Sequence, residues 1–215
     1  MNASVSRKQS RVFTIGIDEV GRGPIAGPVA VGAFVMLEPE VVRRGRLFRG
    51  VKESKQLSPA AREAWFIKIQ KAKKIGIIDF AVTFQSEKVI DKKGLSFAIK
   101  NALSISIEKI IATNETHDIN PTVVDVLLDG GLKAPAHFTK QKTIIRGDTK
   151  EQTIALASIC AKVLRDRRMI AVAKKYPAYG FEIHKGYGTK AHYAAIKKHG
   201  LSPLHRRSFC TSIKK

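Results

Sequence analysis

Four carboxylates stand where secondary-structure elements would begin or end. Asp18 and Glu19 are adjacent and follow a β-rich run at residues 13–17. Asp129 closes Val-Val-Asp-Val-Leu-Leu-Asp before Gly130 and Gly131, and Asp148 heads a long helical pattern. The chain has 39 Lys+Arg against 18 Asp+Glu, so acids at such ends look placed. If those ends converge, the set suits a pair of divalent ions and phosphodiester hydrolysis. One ion would lower the pKa of the attacking water, and the other would take the charge building on the leaving 3′ oxygen. Each acid also has a plainer reading. Asp18 and Glu19 fit a solvated turn paired with Arg22, and Asp129 fits a turn residue before glycine. Asp148 with Glu151 spells an Asp-x-x-Glu capping box.

Between the first pair of acids and the next β-rich run lies Gly21-Arg22-Gly23-Pro24. Glycines let peptide groups approach a ligand closely, so this turn can surround a ribose 2′-hydroxyl, the group that separates RNA from DNA. Tyr187 sits between Gly186 and Gly188 with little local packing support. Lys55, Lys185 and Lys190 are candidate phosphate contacts, although any lysine in so basic a chain also fits solvated surface.

Composition narrows the partners. A formal net charge of +21 and a pI near 10.2 call for a polyanion, nucleic acid ahead of an anionic membrane surface. On charge alone a ribosomal or nucleoid protein fits as well. No apolar run reaches the ~18 residues of a membrane span, and residues 1–10 read as a mobile basic tail without the apolar segment of a signal peptide. Cys160 and Cys210 are far apart and form neither a disulfide framework nor a metal-ligand spacing, which points to a reducing, cytoplasmic setting. A chain of 215 residues buries about 70% of its unfolded surface and needs no staple.

The elements that must position these residues are those of an α/β domain with a mixed sheet. Residues 11–17 and 27–36 read as an antiparallel pair around the glycine turn, and 37–50 as a basic loop. Ser58 as N-cap and Pro59 at the first helical position start a helix to about residue 74. A strand is expected at 75–84, a helix at 94–112, strands at 122–129 and 142–145, and the longest helix from 146 to about 176. Its Ala155, Ala157, Ser158 and Ala161 form a small face suited to close packing on a sheet. A basic helix at 190–199 follows the loop 184–189. The expected organisation is a domain at 11–176, with 177–215 packed on it as a small helical, substrate-binding part.

The order of motifs resembles one family closely. Asp-Glu-x-Gly-Arg-Gly-Pro at 18–24, Ser-Lys-x-Leu-Ser at 54–58, Asp129-Gly130, Gly-Asp-x-Lys at 147–150 and Ala-Ser-Ile-x-Ala-Lys-Val-x-Arg-Asp at 157–166 occur in turn. His-Lys-Gly-Tyr-Gly-Thr at 184–189 and His-Arg-x-Ser-Phe at 205–209 complete the series. Together they resemble ribonuclease HII, the aspartate at 148 favouring type HII over the related type HIII. The resemblance implies a ribonuclease H-like fold and a catalytic, metal-binding set of Asp18, Glu19, Asp129 and Asp148 holding two Mg²⁺ or Mn²⁺ ions. It also implies substrate contacts from Gly21, Arg22, Gly23, Ser54, Lys55, Lys185, Tyr187 and Lys190. The turn and Tyr187 would recognise a ribonucleotide followed by a deoxyribonucleotide. The implied protein is a monomer acting on RNA–DNA hybrids and on ribonucleotides embedded in duplex DNA, incising 5′ of the ribonucleotide to leave 3′-hydroxyl and 5′-phosphate ends. Asp166 ranks below Asp148 as the fourth acid. Glu53 stands where the family usually has Asp, and the basic segment 40–50 is longer than usual. The rival readings are another metal-dependent nuclease of the same superfold and a non-catalytic basic binding protein.

Affinity for a hybrid duplex should fall steeply with salt, because each neutralised phosphate contributes about −0.9 to the slope of log K against log salt on B-form DNA. A titration between low and moderate salt checks this; a slope near zero would remove the basic surface from binding.

Overall fold

Apolar residues interleaved with glycine at 14–20 and 29–36 become two neighbouring strands. In the computed structural model, which describes residues 13–211, these are β1 (Thr14–Val20) and β2 (Val29–Met36). There follow α1 (Pro39–Arg44), α2 (Pro59–Lys74), β3 (Ile78–Gln85), α3 (Glu87–Lys93) and α4 (Leu95–Thr113). Then come β4 (Asp125–Asp129), β5 (Gln141–Ile144), α5 (Gly147–Lys150), α6 (Gln152–Ala173), α7 (Phe181–His184) and α8 (Lys190–His199). The strands form one mixed sheet in the order β3-β2-β1-β4-β5. The β3-β2-β1 half is antiparallel and the β1-β4-β5 half parallel. The expected N-terminal tail at 1–10 lies outside the described residues.

Alternation along the strands divides the core. Ile15, Ile17, Val31, Val35, Val126 and Leu128 face α4, whose Ala98, Ala102, Leu103 and Ile107 cover them. On the other face Phe34 packs with Phe66 and Ile69 of α2 and Leu156, Ile159 and Cys160 of α6. A smaller apolar cluster joins Ile25 and Ala26, Met169 and Ala173 at the end of α6, and Tyr179, Phe181 and Ile196 from the C-terminal part.

α6 lies unusually close to the sheet. A methyl group built on Gly16 would stand 2.3 Å from the Thr153 carbonyl carbon, and one on Gly32 2.5 Å from the Ala157 oxygen. The glycines of the strands and the small residues of the helix therefore form one device.

Several element boundaries differ from expectation. Segment 37–50 is not all loop: Pro39 at the first helical position and Arg43 and Arg44 in the last turn support α1, which buries Val42. α3 was not anticipated, though Ser86 caps it by accepting from the Val89 amide. β3 starts at Ile78 because Gly76, at φ +75°, ends the α2 turn. β4 begins only at Asp125. The longest helix is split: α5 makes a single turn, Glu151 is extended at φ −119°, ψ 120°, and α6 starts afresh.

Gly16→Ala should lower stability by roughly 1–3 kcal/mol, the usual cost of forcing a methyl group into a filled core, as measured by urea unfolding. Wild-type stability would contradict so close an approach of helix and sheet.

Candidate active site

The parallel register carries two acids to the same place. Thr14 faces Asp125 and Ile17 faces Leu128 across β1 and β4, so Asp18 and Asp129 follow side by side at the end of the pairing. Ile17 and Leu128 point to the α4 side, so Asp18 and Asp129 turn towards α6. Asp148 joins them from α5, because the Gly147 amide donates to Asp129 Oδ1 at 2.6 Å. That long-range bond corrects the capping-box expectation: Asp148 lies within α5, and Glu151 is the N-cap of α6 without a side-chain capping bond. β1 runs one residue beyond Glu19, yet Glu19 still senses the charge of Asp129.

The electrostatics describe one acidic site. Burial pushes the Asp18 carboxyl up to about 8, against a hydrogen bond from Ser158 and helped by the charges of Glu19 and Asp129. Burial also raises Glu19, opposed by Arg22. Asp148 is raised by burial and then by Asp129 and Glu53. Arg22 Nη1 holds Glu19 Oε1 at 3.0 Å, whereas Glu19 Oε2 is buried with no hydrogen-bond partner among the described residues. No group of three or more His, Cys, Asp and Glu among the described residues is arranged to hold a metal ion. The four acids gather about the ends of the inner strands β1 and β4 rather than closing into a ligand cage. Their chemistry fits divalent cations nonetheless: hard oxygen donors, a partnerless buried carboxylate oxygen, and mutual repulsion that a cation would relieve.

Beside Asp129 and Asp148, a cleft of about 390 Å³ is lined by these two acids together with Glu53, Lys55, Arg146 and Thr149. Glu53 is thus a fifth acid at the site, signalled in the sequence only by its place before Ser54. Ser54, expected at the substrate, is buried instead, with its hydroxyl 2.8 Å from that of Ser158 behind Asp18. Lys55 and Lys190 are exposed. The Lys185 ammonium turns back onto the carbonyls of Glu182 and Ile183. Asp166 is engaged by Lys162 at 2.7 Å and Arg62 at 4.0 Å, in a separate groove that Tyr187 also lines.

Beneath the glycine turn lie two fully buried arginines to which the sequence reading gave no site role. Arg206 donates from Nε to the Gly27 carbonyl at 2.9 Å, from Nη1 to Arg22 at 2.9 Å and from Nη2 to Gly21 at 2.7 Å. Arg165 donates to the carbonyls of Pro28, Lys185 and Ala26 at 2.9, 3.1 and 3.4 Å. Burial and the neighbouring Arg165 pull the Arg206 pKa down to about 10. Together they tie the turn to the Tyr187 loop, and the Tyr187 ring stands 3.9 Å from where a Gly23 methyl would be.

The sequence and the fold both have known counterparts. The family model described as Ribonuclease HII matches residues 15–212. A ribonuclease HII of Caldicellulosiruptor bescii is 41% identical over 201 residues, covering 94% of this chain and 88% of that protein. The chain belongs to the ribonuclease HII family. Among solved structures, the ribonuclease H2 of Pyrococcus horikoshii OT3 is similar at TM-score 0.63 and 26% identity, covering 94% of this chain and 97% of the other. Bst-RNase HIII in complex with Mn²⁺ has TM-score 0.64 at 18% identity, covering 94% and 66%, a likeness of fold. The mixed sheet with helices on both faces is the arrangement shared with these ribonucleases, as the motif resemblance implied.

The acid cluster should govern the protein's stability without metal. Unfolded, Asp18 ionises near 3.8; folded, near 8. Between those values the folded state holds a proton that the unfolded state has lost, so this group's contribution falls as pH rises and levels off above about 8. Asp18→Asn lacks that dependence. Its melting temperature in EDTA should exceed the wild-type value increasingly from pH 4 to pH 8; a constant difference would contradict the burial of a repelled carboxyl.

Proposed function

We propose that Asp18, Glu19, Asp129 and Asp148 act as one site on the phosphodiester 5′ of a ribonucleotide, in RNA–DNA hybrids and at ribonucleotides embedded in duplex DNA. As a ribonuclease HII the chain is an endonuclease that degrades the RNA of such hybrids. One observation carries the four-acid reading: the β1–β4 register sets Asp18, with Glu19 next to it, beside Asp129, and the Gly147 amide bonded to Asp129 brings Asp148 to them.

These four residues would hold two Mg²⁺ or Mn²⁺ ions. Bound there, such ions supply a water of lowered pKa and neutralise charge on the leaving 3′ oxygen. The chain's own groups arrange the rest. Arg22 fixes one oxygen of Glu19 and leaves the other free to coordinate. Gly147 fixes Asp129, and Ser158 supports Asp18 from behind. Arg22 and Gly23 are exposed on a turn whose main chain is held from below, a shape suited to meeting a 2′-hydroxyl. Tyr187, 40% exposed, offers its ring to the nucleotide that follows. Lys55 and Lys190, both exposed, extend the phosphate track, and cleavage leaves 3′-hydroxyl and 5′-phosphate ends.

A purely binding role is disfavoured, since a polyanion binder gains nothing by burying acids at its centre. Acids, turn and tyrosine all come from one chain, which supports action as a monomer. Both described cysteines are buried and unpaired, which fits a cytoplasmic setting. No helix among the described residues is long and apolar enough to cross a membrane.

Asp148→Asn tests the site. Because Asp148 does not cap a helix, the variant should fold and melt at or above the wild-type temperature in EDTA, relieved of repulsion from Asp129 and Glu53. Incision of a duplex with one ribonucleotide in Mg²⁺ should fall by roughly two orders of magnitude or more, since several kcal/mol of charge stabilisation depend on a complete ligand set. A fully active variant would remove Asp148 from the site.

A further inference from the structure

Behind Tyr187 the C-terminal part buries two histidines in an unbroken chain of hydrogen bonds. His192 and His205 are 0% and 2% exposed. The Ser202 amide lies 2.8 Å from His205 Nδ1, His205 Nε2 lies 3.0 Å from His192 Nε2, and His192 Nδ1 lies 2.8 Å from the Tyr187 carbonyl. Proton counting leaves one arrangement. A carbonyl only accepts, so His192 Nδ1 carries its proton and His192 Nε2 is bare. His205 Nε2 must then donate, which leaves His205 Nδ1 to accept from the Ser202 amide. The Ser202 carbonyl, 3.3 Å from the same nitrogen, would require the opposite proton, which the closer amide excludes. Every ring nitrogen is satisfied with both imidazoles neutral, and a charge on either would set two N–H groups face to face.

We propose that His192 and His205 are positioning residues for ribonucleotide recognition, a two-ring relay anchored on Ser202 that holds the main chain of Tyr187 and thereby sets its ring beside Gly23. The proposal rests on the reading of Tyr187 as a recognition residue. Burial favours the neutral rings, taking His192 down to about 4 and lowering His205. His184 stacks on His192 at 4.2 Å between centroids and accepts from the Gly186 amide at 3.2 Å, so the loop is braced from a second side. The relay is also continuous with the glycine turn. His205 bridges Ala26, and Arg206, the next residue, clamps Gly21, Arg22 and Gly27. Two adjacent side chains thus serve the two halves of one sensor. The loop keeps other ties when the relay is cut: the Tyr187 amide donates to His184 and its carbonyl accepts from Thr189, both at 2.9 Å. Loss of the relay should therefore misplace the ring rather than unfold the loop.

The test is a double-mutant cycle read as kcat/KM on a duplex with a single ribonucleotide. His192→Phe keeps a ring and removes both nitrogens, whereas His192→Asn returns a donor near Nδ1. In the Tyr187 background, His192→Phe should lose roughly ten-fold, equivalent to ~1.4 kcal/mol, and His192→Asn should recover most of it. In the Tyr187→Ala background the same change should cost less than about two-fold, since a residue acting through Tyr187 has nothing left to position. An equal loss in both backgrounds assigns His192 to packing and overturns the proposal, as does a wild-type rate for His192→Phe. If Tyr187→Ala itself incises normally, the reading of Tyr187 fails and takes the proposal with it. Imidazole ¹⁵N spectra of the unaltered protein at pH 7 decide the relay where a variant folds poorly. The proton should sit on Nδ1 of His192 and Nε2 of His205, and the opposite tautomers or a charged ring would overturn it.

Discussion

The close approach of α6 to the sheet is the constraint on which the rest depends. Because Gly16 and Gly32 carry no side chain, the helix lies against the β1 and β2 backbones, and its successive turns are delivered at fixed heights along them. The first turn follows the Asp148 segment. Ser158 then comes up behind Asp18 and Ser54. Two turns further on, Arg165 reaches under the glycine turn, and Met169 fills the space beside Gly27 and Gly186. One rod spaces the acids, the turn and the C-terminal part, so precision at the site is inherited from helix–sheet packing rather than from loops.

The sequence disclosed some of this and concealed the rest for identifiable reasons. Asp18 and Asp129 were legible as acids at strand ends because alternation and following glycines are local signals, and Ser58 and Pro59 announced α2 in the same way. The small face of α6 was legible too, although its partners Gly16 and Gly32 were not. Asp148 was open to two readings because Asp-x-x-Glu is a short-range pattern, while the bond that places its segment is donated by the preceding Gly147 amide to Asp129, 18 residues before that glycine. α1 was hidden by a basic, glycine-broken composition despite a proline start. Arg165 and Arg206 were unreadable in kind. Arginines are rarely buried without an acid, and main-chain carbonyls, which leave no trace in residue identity, are their partners.

Charge is organised in layers. The formal excess of +21 suits the approach of a polyanion, yet the inner strands end in acids, and burial raises the pKa of Asp18 among them. The two buried guanidiniums make their hydrogen bonds to main-chain carbonyls, so the turn sits over fixed positive charge. Under the proposed function, steering, recognition and chemistry use three different electrostatic environments.

The Arg206 clamp has a consequence for the order in which the molecule is completed. Its bonds to Gly21 and Arg22 span 185 and 184 residues, so the turn that follows the first acids is closed by a residue synthesised long after them. Contacts of such sequence separation form late. A chain interrupted before Arg206 retains every acid and the strands that carry them, but its glycine turn lacks the guanidinium beneath it. Synthesis as far as Arg206 is thereby built into the architecture as a condition for a finished glycine turn, and a product that stops short of it keeps the acids but not the clamp that shapes the turn beside them.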